Sequence, residues 1–187
     1  TLVSGNFTGS YLRYATDIAG VLDEPGKLRV LPIVTAGAVQ NITDIMFMRG
    51  IDMGFVRTDS IEAIKRKGAV GNVERDVQYI ARLVDDEMHV IAPNGVTDIR
   101  QLAGKKVNMD VIGSGSHFSS ELIFERLGIK VEITSYEQNV AYEKLKAGEI
   151  DASIFFGGKP VLGFVNFSDP QRRFHLVPVR YEQSLED

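Results

Sequence analysis

Five short stretches of this chain combine small residues, hydroxyls and a cation in ways that suit capture of a small anion. Thr8-Gly9-Ser10-Tyr11 precedes a helical pattern over Leu12 to Leu22. Gly9 permits a tight turn, and the N–H groups after it open a helix whose first turn carries about half a positive charge and unpaired donors. Plain capping by Thr8 or Ser10 is the alternative. Thr35-Ala36-Gly37-Ala38-Val39 repeats that arrangement between an apolar run ending at Val34 and a helical pattern from Asn41. Arg57-Thr58-Asp59 follows another apolar run, and Arg57 either grips a carboxylate with both prongs of its guanidinium or is an ordinary exposed arginine. Gly113-Ser114-Gly115-Ser116-His117-Phe118 carries the clearest signal. Its small residues let a ligand approach the backbone, and its two hydroxyls add donors. It is not a P-loop, because Lys followed by Ser or Thr is missing, and not a GxGxxG, because the third Gly is absent. Phe155-Phe156-Gly157-Gly158-Lys159-Pro160 completes the set after a further short apolar run.

Catalytic chemistry finds less support. His89 and His175 lie in apolar strand patterns that suit packing. His117 beside Ser114 and Ser116 suggests a nucleophile with its base, but sequence neighbours rarely point at each other and no GxSxG elbow is present. No HExxH or comparable metal spacing occurs. Asp85-Asp86-Glu87 is expected to be solvated, and the Phe155-Phe156 pair to sit in the core, although Phe156 adjoins the glycine loop. Cysteine is absent, which excludes disulfides, thiolate catalysis and Cys-ligated metals and fits an oxidising compartment. A binding protein is expected, with no catalytic residue, cofactor or metal.

The elements that must position these loops follow from length and patterning. With 187 residues, 44% hydrophobic and 25% charged, the chain has ordinary globular composition and room for one large domain or two small lobes. No apolar stretch approaches the ~20 residues of a membrane span. The net charge of -4 argues weakly against a nucleic-acid groove, and Lys65-Arg66-Lys67 reads as a solvated helix end. Strands are predicted at Leu28–Val34, Met53–Val56, Val77–Leu83, Met88–Ala92, Val107–Ile112, Ile129–Ile133, Ile154–Phe156 and Phe174–Val179. Helices are predicted at Leu12–Leu22, Asn41–Arg49, Asp59–Lys67, Phe118–Leu127 and Val140–Lys146. The alternation predicts α/β architecture with mostly parallel sheet covered by helices.

A weak internal echo points to two similar lobes. Gly50-Ile51-Asp52-Met53 and Gly148-Glu149-Ile150-Asp151-Ala152 each give a helix end, a glycine, an Ile-Asp pair and a short buried strand. We expect lobe 1 at residues 1–87, lobe 2 at 88–175, and a return segment at 176–187. Crossings at Met88–Ala92 and Phe174–Val179 would make a hinged cleft that gathers the five loops.

The stretches GSYLRYATDIAGVLD, LRVLPIVTAGAVQNITDIMFMRGIDMGFVRTD, LAGKKVNMDVIGSGSHFSSELIFERLGIKVE and EKLKAGEIDASIFFGGKP resemble the TAXI family, the extracytoplasmic solute receptors of TRAP transporters, over Gly5 to Val179. The resemblance implies a type II periplasmic binding-protein fold of two α/β lobes. It implies a periplasmic protein that holds a small solute, often an organic acid or an amino acid such as glutamate, and hands it to a membrane permease. Carried over, the ligand contacts are Gly9-Ser10-Tyr11, Gly37-Ala38-Val39 and Arg57-Thr58-Asp59 in the first lobe. In the second they are Ser114-Gly115-Ser116-His117, with Gly113 before them, and Phe156-Gly157, with Gly158 after them. Three positions depart from the family pattern: Gly37-Ala38 for Gly-Ser, Arg57-Thr58-Asp59 for Gln-Ser-Asp, and Gly115-Ser116 for Gly-Thr. Arg57 would make the site more cationic, in keeping with an anionic solute.

The chain does not begin with Met and shows no signal-peptide pattern at Thr1, so it reads as a processed or trimmed product. Family members continue through further helices, so the first lobe is expected to be cut short at its C-terminal end, as a fragment or a shortened branch. The alternative function is the ligand-sensing effector domain of a transcription regulator of the same fold. An enzyme of two-lobe architecture would need a convergent acid–base set that the sequence does not offer.

Overall fold

The computed structural model describes residues 1–66, 73–159, 167 and 169–179. The predicted helix end at Lys67, the residue Pro160 and positions 180–187 of the expected return segment lie outside the described residues. Packing divides the chain into two units: residues 1–83 with 113–118, and residues 84–112 with 119–187. The first boundary thus falls after Leu83, four residues before the one read from the acidic run, and Gly113 to His117 group with the first unit.

The first unit is built on a parallel sheet in the order β2-β1-β3, with β1 at Leu2–Val3, β2 at Pro32–Ile33 and β3 at Met53–Gly54. Successive strand residues face opposite ways. Leu2 turns to the helix α1 (Ser10–Leu22), whose Ala15 joins Val30 and Phe55 in one core cluster. Val3 turns to α2 (Ala38–Phe47), where it approaches Gly54 and Ile45. Beyond α2 lies α3 (Thr58–Arg66), and Val39 and Ile42 pack with Ile64 and with Val73 of the short α4 (Val73–Asp76). The predicted strand Leu28–Val34 shrinks to Pro32–Ile33 because Val30 N–H donates to the Asp23 carboxylate (2.7 Å) while Leu28 bridges back to Glu24. The predicted strand Val77–Leu83 does not form: Tyr79, Ile80 and Leu83 are exposed, and no sheet partner meets them among the described residues.

Asp44, buried on α2, has its carboxyl pushed above the ordinary value of 3.8 by desolvation, which a hydrogen bond with Gln40 only partly offsets. A raised carboxylate favours the folded state when protonated. Its contribution is fully present below about pH 4 and is lost as pH rises through the folded value. Asp44→Asn should therefore flatten the acid-to-neutral slope of stability, read by urea melts between pH 4 and 8. A slope equal to that of the wild type would refute this.

The second unit carries a mixed sheet in the order β6-β5-β7-β4-β8. Here β5 is Lys106–Asn108, β6 Glu132–Thr134 and β7 Ala152–Gly157, all mutually parallel, while β4 (Glu87–Pro93) runs antiparallel to β7 and to β8 (Phe174–Leu176). One face packs Val90, Val107 and Ile154 with Leu102 and with Phe124 of α5 (Gly115–Arg126). The other packs Ile91 with Ala141, Tyr142 and Leu145 of α6 (Gln138–Ala147). Both units are α/β and most strand pairs are parallel, as expected. Among the described residues no helix is long and apolar enough to cross a membrane.

The internal echo has a physical cause. Gly50 (φ 84°) and Gly148 (φ 73°) take the left-handed conformation that ends a helix. The Ile-Asp pair then precedes the first residue of β3 or β7, and each Asp pins the start of the neighbouring parallel strand. Asp52 N–H donates to Thr1 carbonyl (3.3 Å) just before β1. Asp151 accepts from Lys106 N–H at the first residue of β5 (2.8 Å).

Candidate functional site

Because β1, β2 and β3 are parallel, the chain leaves all three at one end of the sheet, and the loops 4–9, 34–37 and 55–57 gather there. Gly5 carbonyl accepts from Thr35 N–H (3.3 Å) and Ile33 carbonyl accepts from the Ser4 hydroxyl (2.8 Å), which joins the first two loops. Asn6 organises the turn before α1, its carboxamide oxygen accepting from Gly9 N–H (2.8 Å) and Thr8 N–H (3.2 Å). Asn6, which sequence reading passed over, thus shapes the turn into α1, whose N-cap Gly9 has no side-chain capping bond from Thr8 or Ser10. Phe7 between them is 81% exposed.

Asn41, also passed over, lies fully buried in the first turn of α2. Its amide donates to Ser4 carbonyl (2.5 Å) and Phe55 carbonyl (2.7 Å), and its oxygen accepts from the Thr35 hydroxyl (2.6 Å). Gly54 faces this helix closely, since a Cβ there would stand 2.9 Å from Ile45 Cδ1 and 3.4 Å from Asn41 Cβ.

Residues 113–118 lie against the start of α2 at backbone distance. A Cβ on Gly37 would meet Ser114 Cα at 3.2 Å, and one on Gly113 would meet Ala36 Cβ at 3.3 Å. Gly113 carbonyl accepts from Gln40 N–H (3.2 Å), in the first turn of a helix whose N-cap, Gly37, offers no side chain. The Ser114 hydroxyl accepts from His117 N–H (3.0 Å) and so caps α5. Two helix starts therefore meet. Across them lies Arg57: a Cβ on Gly115 would fall 2.6 Å from Arg57 Cδ. The Arg57 side chain is 13% exposed, and its guanidinium pairs with the Asp59 carboxylate (3.1 Å) at the start of α3.

Of the residues singled out from sequence, the structure brings together Gly37, Ala38, Arg57, Asp59, Ser114 and Gly115, with Gly113 beside them. Ser116 and His117 follow in the first turn of α5, both half-buried. Val39 turns its side chain into the core against Ile64. Thr58 is exposed at the first residue of α3. Gly9 and Ser10 open α1, while the Tyr11 ring stacks on Phe55 (5.3 Å) within the core cluster. In the second unit, Phe156 packs beside Met88 at the end of β7, and Gly157 carbonyl lies 3.4 Å from His89 Nε2. His89 stacks on Phe155 (5.2 Å), and His175 Nε2 lies 2.6 Å from Val96 carbonyl, so both rings pack within the second unit as expected.

Chemically, the first-unit site offers helix-start N–H groups, small residues that expose backbone, and one guanidinium held in place by a carboxylate. Such a set is chemically suited to an anion. No group of three or more His, Asp or Glu suited to a metal exists among the described residues.

Comparison with known proteins agrees with this architecture. The model of the NMT1-like family matches residues 2–186. An ancestral arginine-binding protein bound to arginine is similar at 16% identity and TM-score 0.59, over 94% of this chain and 76% of that one. The effector-binding domain of QuiR in complex with shikimate is similar at 11% identity and TM-score 0.58, over 97% of this chain and 81% of that one. The periplasmic aliphatic sulphonate binding protein SsuA from Escherichia coli is similar at 15% identity and TM-score 0.55, over 94% of this chain; the chain spans only 58% of SsuA. At these identities the likeness establishes the fold, which is that of type II periplasmic binding proteins.

Proposed function

The chain belongs to the NMT1-like family, and from that premise we propose that it is an extracytoplasmic solute receptor of the TRAP (TAXI) type that binds a small anionic solute, an organic acid or an amino acid, without catalysis. The observation that carries this reading is the meeting of the α2 and α5 helix starts under Arg57, at the carboxyl ends of three parallel strands. In open α/β sheets that end is where ligands bind. Gly113 carbonyl takes the Gln40 N–H in the first turn of α2, so a solute carboxylate oxygen would use the other N–H groups of that turn. Gly9, Ser10, Gly37, Ala38, Ser114, Gly115 and Ser116 supply backbone and hydroxyl donors, with Val39, Thr58, Asp59 and His117 alongside. Phe7 is a better apolar contact than Tyr11, whose ring is committed to Phe55. Phe156 and Gly157 remain proposed contacts from the second unit. The receptor would act in the periplasm and deliver its solute to a membrane permease. The neighbours bound to arginine and to shikimate, and SsuA, are similar in fold to a ligand-binding reading of this kind.

The test is a thermal-shift panel of citrate, succinate, L-glutamate, L-arginine, pyruvate, shikimate and glucose. A ligand at 100 times its Kd adds about 2.7 kcal/mol, which at this chain size raises Tm by roughly 5–11 °C. A selective shift with one acid supports the proposal; no shift across the panel from a cooperatively melting protein counts against it. Arg57→Ala should weaken that acid by at least ~1.5 kcal/mol, the low end for a hydrogen bond to a charged group, when Kd is measured by calorimetric titration. An unchanged Kd would remove Arg57 from the site.

The second reading is a ligand-sensing effector domain of a transcription regulator, favoured by the likeness to the QuiR domain. A signal peptide in the gene supports the receptor, and a helix-turn-helix segment the regulator.

A further inference from the structure

We propose that Asn41 is the positioning residue of the site, a single side chain that locks the loops after β1, β2 and β3 into one rigid set. The inference rests on the receptor reading for its functional consequence, but its geometry stands by itself. Asn41 is fully buried, and its carboxamide has two N–H donors and one acceptor oxygen. One donor goes to Ser4, which leads into the first loop; the other goes to Phe55, which leads into the third. The oxygen takes the hydroxyl proton of Thr35, in the second loop. No other side chain type has this donor and acceptor pattern at this length. Aspartate lacks the donors, leucine lacks both kinds of group, and glutamine adds a methylene at a fully buried position.

The placement of Asn41 on α2 makes the arrangement consequential. It stands in the first turn, and its own N–H donates to Gly37 carbonyl (2.9 Å). The same residue therefore fixes the three strand ends and the helix start on which the Gly113 carbonyl and the proposed anion depend. With only two residues in each strand, the sheet ties its ends two at a time, Thr35 N–H to Gly5 carbonyl (3.3 Å) and Phe55 N–H to Val3 carbonyl (3.1 Å), and neither bond joins all three. The buried carboxamide supplies what the ladder does not, and a group so fully satisfied in a low-dielectric interior rigidifies its surroundings.

Native-state amide exchange by mass spectrometry tests this on three variants of the full chain. Asn41→Leu should raise exchange in segments 5–9, 35–38 and 55–59 together, by roughly ten-fold or more, while segments of the second unit keep wild-type rates. Thr35→Val removes one of the three links and should release 35–38 alone. It also keeps the test decisive if Asn41→Leu does not fold. Ile42→Val disturbs the adjoining core without touching a link, and should leave the three loops at wild-type rates. Exchange that rises evenly through the first unit in Asn41→Leu overturns the proposal, and so does a Thr35→Val variant with no release of 35–38. For the functional consequence, calorimetric titration with L-glutamate and with citrate should show at least a ten-fold higher Kd in Thr35→Val than in Ile42→Val. Equal Kd values refute the positioning role. Wild type that binds no member of the panel counts against the receptor reading, while the exchange pattern decides the clamp by itself.

Discussion

Gly37→Ala should cost roughly 2–6 kcal/mol of stability, the largest loss from any single methyl group added near the site. Two separate penalties meet there. Gly37 has φ 134° and ψ -156°, a region open essentially to glycine alone, and forcing another residue into it costs about 1–3 kcal/mol. The added Cβ would also stand 3.2 Å from Ser114 Cα and 3.5 Å from Ser114 Cβ. The nearer atom is backbone, so relief requires the 113–118 loop to move, and overpacking of this kind costs about 1–3 kcal/mol more. At roughly 2–4 °C per kcal/mol for a chain of this size, Tm should fall by at least about 4 °C.

Gly50→Ala is the matched control. Gly50 also has positive φ (84°), but a Cβ there meets nothing within 4 Å, so only the backbone penalty applies, about 1–2 kcal/mol. Chemical denaturation of both variants separates the terms. If Gly37→Ala loses no more than Gly50→Ala, the close approach of residues 113–118 to the start of α2 is not present in solution, and the anion site loses its second helix.

The loops that carry the proposed chemistry were legible because their signal is local. A small residue between an apolar run and a helical pattern can be read from spacing alone, and Gly37, Gly113 and Gly115 each prove to stand where a Cβ would come within 3.3 Å of a neighbour. Arg57 was legible as a cation, but its partner two residues on, Asp59, was not read as holding it. What sequence reading missed is what depends on three dimensions. Asn41 looked like the polar first residue of an amphipathic helix, and nothing in its neighbours tells that Ser4, Thr35 and Phe55 converge on it. β1 was missed because Leu2-Val3 has no periodicity to read, although it is the central strand of its sheet. Val77 to Leu83 failed in the opposite way: its composition suits a strand, but strand formation needs a partner edge, and the described residues supply none. The Ile-Asp echo succeeded because each Asp acts on the adjacent parallel strand, so the same local motif served the same purpose twice.

Gly54→Ala should be destabilising by about 1–3 kcal/mol, against the ordinary expectation for a strand interior, where replacing glycine by alanine gains roughly 0.5–1 kcal/mol. The reason lies in the layer between sheet and helix. Gly54 pairs across the sheet with Val3, and a Cβ on it would fall 2.5 Å from Val3 Cγ2 and 2.9 Å from Ile45 Cδ1. Ile45 can turn its terminal methyl aside, but Val3 is β-branched, fully buried and confined in its rotamer. The strain then falls on β1 at Val3, the residue before Ser4, whose carbonyl takes a hydrogen bond from Asn41.

A double-mutant cycle with Val3→Ala isolates this contact. Val3→Ala alone should cost roughly 1.5–3 kcal/mol of lost burial. In the double variant the new methyl occupies space that Val3 has vacated, so the combined loss should be smaller than the sum of the single losses by at least about 1 kcal/mol, within the range seen for residues in contact. Urea titration of the four proteins measures the coupling. Additive losses would mean that Val3 Cγ2 does not lie over Gly54 at this distance, and the packing of β1 beside β3 on this face would have to be redrawn.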